Sequence, residues 1–106
     1  MKRLLRNFAT LRLLATAPAR VRRSLLTHAA DDFLLAISDV SYNVLRRNVT
    51  FTAQETEALR QYKDVLRKIG NHKSAPSRIR SILLQNYRKS GLFSLLIQPL
   101  ISQLCQ

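Results

Sequence analysis

An all-α fold is what this sequence predicts: a small bundle of about four to five short helices with a hydrophobic C-terminal segment. Three observations predict it. Helix breakers are scarce, with two glycines and three prolines in 106 residues, and the prominent Leu, Arg and Ala are good helix formers. Apolar residues recur every three or four positions, the spacing of one helical face. Thr52-Ala53-Gln54-Glu55 spells a capping box, in which a Thr hydroxyl and a Glu side chain three residues on satisfy each other's backbone N–H groups.

The elements follow in order. Residues 1–15 read as a first helix, with Leu4, Leu5, Phe8, Leu11 and Ala15 on one face and Lys2, Arg3, Arg6 and Arg12 mainly off it. Thr16-Ala17-Pro18 breaks it, and Pro18 opens a second helix as its first residue, where a missing N–H costs nothing. That helix runs to about residue 29, with Val21, Leu25 and His28 on one side. Asp31 or Asp32 starts a third helix, since carboxylates suit a helix N-terminus. Phe33, Ile37, Val40 and Val44 form its stripe, and Arg46 and Arg47 suit its C-terminal end.

Residues 48–52 read as a short loop. The helix after the capping box carries Leu59, Tyr62, Leu66 and Ile69, and Gly70-Asn71 ends it. Residues 72–74 are a linker. Ser74 or Ser77 caps a fifth helix with Pro76 in its first turn, Ile79, Leu83 and Tyr87 inward, and Arg78, Arg80 and Arg88 outward. Gly91 stops it. Residues 92–104 carry no charge and are mostly Leu, Ile and Phe, and Pro99 near the centre argues against an uninterrupted helix.

The chain is about one domain long and buries one modest core. A basic helical domain spans residues 1–90, with its scaffold at about 31–69, and residues 91–106 form the hydrophobic segment. At 46% hydrophobic residues the chain is more than a disordered basic tail. Cys105 is a lone thiol without an internal partner, so nothing indicates an oxidising compartment. No apolar run reaches the roughly 18 residues of a membrane span. Arg6, Arg12, Arg20, Arg22 and Arg23 interrupt any secretory signal.

Charge is the largest departure from an ordinary domain: +12 net, unevenly placed. Residues 1–30 and 65–106 each carry seven basic residues and no acid; residues 31–64 carry all six acids, Asp31, Asp32, Asp39, Glu55, Glu57 and Asp64, against four basic residues. Two cationic flanks around a near-neutral middle call for an anionic partner: nucleic acid, an anionic membrane surface or an acidic protein. Three basic clusters stand out. Lys2, Arg3 and Arg6 open the chain; Arg20, Arg22 and Arg23 form a second; Arg67, Lys68, Lys73, Arg78, Arg80, Arg88 and Lys89 form a third. Arg outnumbers Lys, and guanidinium forks match phosphate oxygens. The expected nucleic-acid contacts are Arg20, Arg22, Arg23, Arg67, Lys68, Lys73, Arg78, Arg80, Arg88 and Lys89. Such contacts hold the backbone and carry no sequence information.

Signals for an enzyme are poor. His28, His72 and Cys105 lack metal-ligand spacing. Asp31 and Asp32 point about 100° apart on a helix, which suits a helix start rather than an acid/base pair. Two glycines are too few for a phosphate-cradling loop. No catalytic residue, metal ligand or cofactor is therefore expected. Tyr62 and Tyr87 fall on apolar stripes, as core-edge residues rather than stacking platforms. Nothing marks a DNA-recognition helix.

A series of short motifs adds a resemblance. Tyr42-Asn43-Val44-Leu45, Asn48-Val49, the capping box, Leu59-Arg60-Gln61-Tyr62-Lys63 and Val65-Leu66-Arg67-Lys68-Ile69 follow one another. His72-Lys73-Ser74, Arg80-Ser81-Ile82-Leu83-Leu84-Gln85 and Gly91-Leu92-Phe93 before the Leu-rich end continue the series. The chain resembles, over most of its length, a small basic protein of Polinton/Maverick elements and their adintovirus relatives. Ala17-Pro18-Ala19-Arg20-Val21-Arg22-Arg23 fits the same layout, which implies that this segment belongs to the body. By analogy with adenovirus core proteins, the resemblance implies a virion-associated component, in the particle or the host nucleus, with DNA and capsid proteins as partners. One departure concerns maturation. Relatives tend to carry a Gly-Gly pair before the tail, a cleavage point of the adenain type, where this chain reads Lys89-Ser90-Gly91-Leu92.

The leading expectation is a non-enzymatic, sequence-independent nucleic-acid binder. A first alternative is a membrane-active or membrane-docking virion protein acting through Leu92, Phe93, Leu95, Leu96, Ile97, Leu100 and Ile101, which the core-helix reading of the same segment opposes. A second is an organellar RNA-binding or ribosome-associated protein, because an Arg-rich, acid-free N-terminus also describes a mitochondrial transit peptide.

Overall fold

The computed structural model describes residues 2–46, 52–71 and 74–104, with side chains described as far as residue 97. Seven helices appear among them, in the order α1 (Lys2–Arg6), α2 (Phe8–Thr16), α3 (Ala19–Thr27), α4 (Asp31–Leu45), α5 (Ala53–Ile69), α6 (Pro76–Gln85) and α7 (Ser90–Leu104), with no strand among the described residues. The fold is all-α. The count exceeds four to five because the first helix is split and the hydrophobic segment is itself a helix.

Asn7 causes the split. Its backbone leaves the helical region at φ −105°, ψ 8°. Its side-chain amide donates to the Arg3 carbonyl at 2.7 Å and to Asp32 at 2.9 Å. A short polar side chain competes in this way for groups that a continuous helix would use. Leu4, Leu11, Leu14 and Ala15 are buried, whereas Leu5, expected on the same face, is 58% exposed.

α4 is the central element and touches α1, α5, α6 and α7. Its expected stripe, Phe33, Ile37, Val40 and Val44, is buried. Asp31 and Asp32 stand in its first turn, with Ala30 as the capping residue. Ser38 and Ser41 are buried beside the stripe, and Ser41 Oγ donates to the Ile37 carbonyl at 3.0 Å. Arg46 is its C-cap; Arg47 and the expected loop at 48–51 lie outside the described residues.

α5 begins with the capping box as read: Glu55 N–H donates to Thr52 Oγ1 at 3.1 Å and Thr52 N–H to Glu55 Oε1 at 2.9 Å. Leu59, Leu66 and Ile69 are buried and Tyr62 half-buried. Gly70 caps α5 at φ −78°, a conformation open to any residue. Its reason is close approach: a Cβ there would stand 3.0 Å from Tyr42 N and 3.3 Å from Ser41 C. Those are backbone atoms of α4 and cannot swing aside. Gly70→Ala is expected to destabilise the fold by roughly 1–3 kcal/mol, read as a lowered denaturant midpoint; parental stability would refute the close packing.

α6 starts at Pro76, in the first-turn position expected, with Ala75 as the capping residue. Neither serine caps it, and Ser74 Oγ instead faces the Lys68 carbonyl at 3.5 Å. The linker residues His72 and Lys73 lie outside the described residues. α6 ends at Gln85, before Gly91, which sits in the first turn of α7 against the Tyr62 hydroxyl.

α7 runs across Pro99 without a break. An interior proline removes one ladder hydrogen bond and costs about 3 kcal/mol. Burial of Leu92, Phe93, Leu95, Leu96 and Ile97 opposes that cost, each such side chain contributing about 1.5–3 kcal/mol. α7 packs on α2, α4 and α5, so the uncharged segment takes the core-helix reading, as one core with the rest of the chain. The exposed, contact-making role expected of these five residues is corrected: they face the interior. The side chains of Leu100 and Ile101, and all of Cys105, lie outside the described residues.

Candidate nucleic-acid interface

The site starts from a backbone problem at the α2–α3 corner. The Leu14 carbonyl, near the end of α2, would accept from residue 18 if the helix continued. Residue 18 is proline and has no N–H. Arg22 answers it from the first turn of α3: its Nε donates to the Leu14 carbonyl at 3.2 Å and Nη2 to the Ala17 carbonyl at 2.9 Å. Its Nη1 crosses to the turn after α6 and donates to the Tyr87 carbonyl at 2.6 Å. The guanidinium lies 4.8 Å from the centroid of the Phe93 ring on α7. Arg22 is 2% exposed, and burial pushes its pKa down from the ordinary value, which starts so high that it remains a cation at neutral pH.

Arg22 was expected at the surface on a nucleic-acid phosphate. The structure corrects that: it is an internal clamp that fixes where Tyr87 and Arg88 stand relative to α3. Arg80 corrects a second expectation. It is half-buried, and its guanidinium donates to the Thr27 carbonyl at 2.6 Å and the Ala29 carbonyl at 2.8 Å. A cation at the C-terminus of α3 satisfies the last carbonyls and suits the dipole. Two arginines therefore hold α3 at its two ends.

Between those clamps lies an open groove of about 530 Å³, lined by Arg20, Arg23, His28 and Ser24 of the α3 region and by Tyr87 and Arg88. No carboxylate lines it. Arg20, Arg23 and Arg88 are exposed. The Arg23 and Arg88 guanidinium carbons lie 5.7 and 5.5 Å from the Tyr87 ring centroid, and Arg88 Nε donates to the Tyr87 hydroxyl at 2.9 Å. Each such contact contributes about 0.5–1 kcal/mol at an exposed site, enough to restrict two long side chains. Arg20 and Arg23 donate to no protein acceptor among the described residues, so their planar forks of N–H donors face outward. The start of α3 at Ala19 also borders the groove, and its dipole adds positive potential.

The remaining predicted contacts divide. Arg67, Lys68, Arg78 and Lys89 are exposed but do not line the groove. Lys73 lies outside the described residues. In the N-terminal cluster, Arg3 and Arg6 are engaged in holding α1 to α4. Arg3 pairs with Asp39 at 3.0 Å and Asp32 at 3.4 Å, and Arg6 pairs with Asp32 at 3.0 Å. Hydrogen bonds from Arg6 and Asn7 hold the Asp32 carboxyl below the usual range. The fourth pair among the described residues is Arg60–Glu57 at 3.3 Å. None of the predicted nucleic-acid contacts is ion-paired among those residues, so the carboxylates leave the groove cationic.

Sequence reasoning found Arg20, Arg23 and Arg88 but not that they converge. It placed Tyr87 on the apolar stripe, and the ring is indeed half-buried against the core. It missed the groove roles of His28 and Ser24. Pro18 carried an unread signal: a proline four residues after Leu14 orphans that carbonyl, and Arg20, Arg22 and Arg23 follow it closely as strong donors. Among the described residues no three His, Cys, Asp or Glu side chains group to hold a metal, and no helix is long and apolar enough to cross a membrane. Comparison with protein-family models, curated proteins and solved structures finds no match for this chain.

Proposed function

We propose that this chain is a non-enzymatic protein that grips nucleic acid, chiefly DNA, by its backbone phosphates and without reading sequence. The observation that carries this is the groove with three exposed guanidinium groups and no carboxylate in its lining. Like charges held together in one concavity repel one another, and phosphates entering it relieve that repulsion while displaced counterions gain entropy. Exposed Arg67, Lys68, Arg78 and Lys89 extend the cationic surface beyond the groove. Fluorescence anisotropy on labelled duplexes of unrelated sequence tests the reading. Near-equal affinities that fall steeply with salt are expected; affinity indifferent to salt would remove the mechanism.

On its resemblance to the small basic proteins of Polinton/Maverick and adintovirus genomes, we read the protein as virion-associated, with capsid proteins as neighbours. Genes for a capsid protein, an adenain-like protease and a packaging ATPase are expected beside its gene. A neighbourhood of organellar translation genes would favour the RNA-binding alternative instead. The membrane-docking alternative gains no support from α7, whose apolar side chains as far as Ile97 face the core.

A further inference from the structure

We infer that the interface takes unpaired nucleotides in preference to duplex, because an apolar hollow adjoins the cationic groove. The inference rests on the nucleic-acid reading above. The hollow, about 380 Å³, shares Ser24 and His28 with the groove. Leu25, Ala29, Ala30 and the small exposed edge of Phe33 supply its apolar lining, and the polar side chains of Asn7 and of Thr10 on α2 border it. No Lys, Arg, Asp or Glu side chain lines it. One shared wall thus separates three guanidinium groups from an uncharged cavity, and both volumes fall in the range of small-ligand clefts.

Electrostatics alone would favour duplex. Its phosphate charge is denser, and each contact releases more counterion, with a slope of about 0.9 against about 0.7 for single strands. A duplex keeps its base faces stacked inside and brings phosphates, sugars and base edges, but no free base face, to the hollow. A single strand lays phosphates on Arg20, Arg23 and Arg88 and has bases free to cover Leu25, Ala29 and Phe33. Tyr87 is not the platform, since Arg23 and Arg88 already stand against its ring. The base is therefore held by apolar contact beside the phosphates, and a preference for single strands is a signature that charge cannot produce.

Competition on the full chain tests this, with a mixed-sequence single strand, the matching duplex and inorganic polyphosphate compared at equal phosphate concentration. The single strand is expected to compete roughly threefold or more better than either rival, the effect of covering a few tens of Å² of apolar surface. Thr10→Phe fills the hollow from an exposed position on α2 without altering charge. It is expected to abolish the preference while duplex affinity and the unfolding midpoint stay parental; Thr10→Leu serves if the larger ring shifts that midpoint. Equal competition by the three polymers, or a preference that survives filling in a folded protein, overturns the inference and leaves the cationic groove standing. Failure of every polymer to bind at low salt overturns the groove itself.

Discussion

Replacing Arg22 with methionine is expected to destabilise the protein by roughly 3–5 kcal/mol, a large share of the stability of a domain this size. The sign is not automatic, because a buried charge is costly and apolar replacements of buried ionic groups are sometimes stabilising. The geometry decides it. Methionine fills much of the volume and keeps a contact with Phe93, but it donates nothing. The carbonyls of Leu14, Ala17 and Tyr87 then lose their shared donor, and each buried carbonyl left unsatisfied costs about 1–3 kcal/mol. Arg22→Lys is also expected to fail, since one ammonium cannot reproduce a fork aimed at three separated oxygens. Urea denaturation checks both variants: the midpoint drops with the slope nearly unchanged. A methionine variant as stable as the parent would show that the clamp does not hold the corner.

Changing Arg20, Arg23 and Arg88 together to glutamine is expected to leave the fold nearly intact and to weaken nucleic-acid binding by about two orders of magnitude at low salt. That figure follows from roughly 1 kcal/mol for each lost phosphate contact. All three side chains are exposed, where substitutions usually shift stability by no more than about 0.5 kcal/mol; the two contacts with Tyr87 add a small further loss. Arg60→Gln is the single-charge control outside the groove. It removes an arginine that lies outside the cationic groove and is paired with Glu57, so its effect on affinity is expected to be slight. A loss from the control one third of the triple variant's on a logarithmic scale, in proportion to the charge removed, would mean that net charge alone binds, with no role for the groove.

The helices were legible because their signals are local. The Thr52–Glu55 capping box, the α4 stripe and Pro76 each act within one or two turns, and the structure places them as read. What depends on contacts distant in sequence was not legible. The inward face of α3 carries Arg22 and Leu26, one position on from the expected Val21 and Leu25, because the partner that favours Arg22 is the carbonyl at Tyr87, 65 residues away. Arg80 was read as outward for the same reason: its acceptors, Thr27 and Ala29, lie 53 and 51 residues back. Clusters of arginine in the sequence do not distinguish cations that bind a partner from cations that complete the fold. Here the clusters contain both, and the residues that complete the fold position those that face solvent.

The central claim is that the cationic groove grips phosphates, and salt dependence measures this most directly. For the parent and the triple glutamine variant, log affinity for one duplex is plotted against log salt concentration. The account predicts straight lines whose slopes differ by about 2.7, or 0.9 for each of three lost contacts. Parallel lines, with any loss of affinity independent of salt, would contradict it.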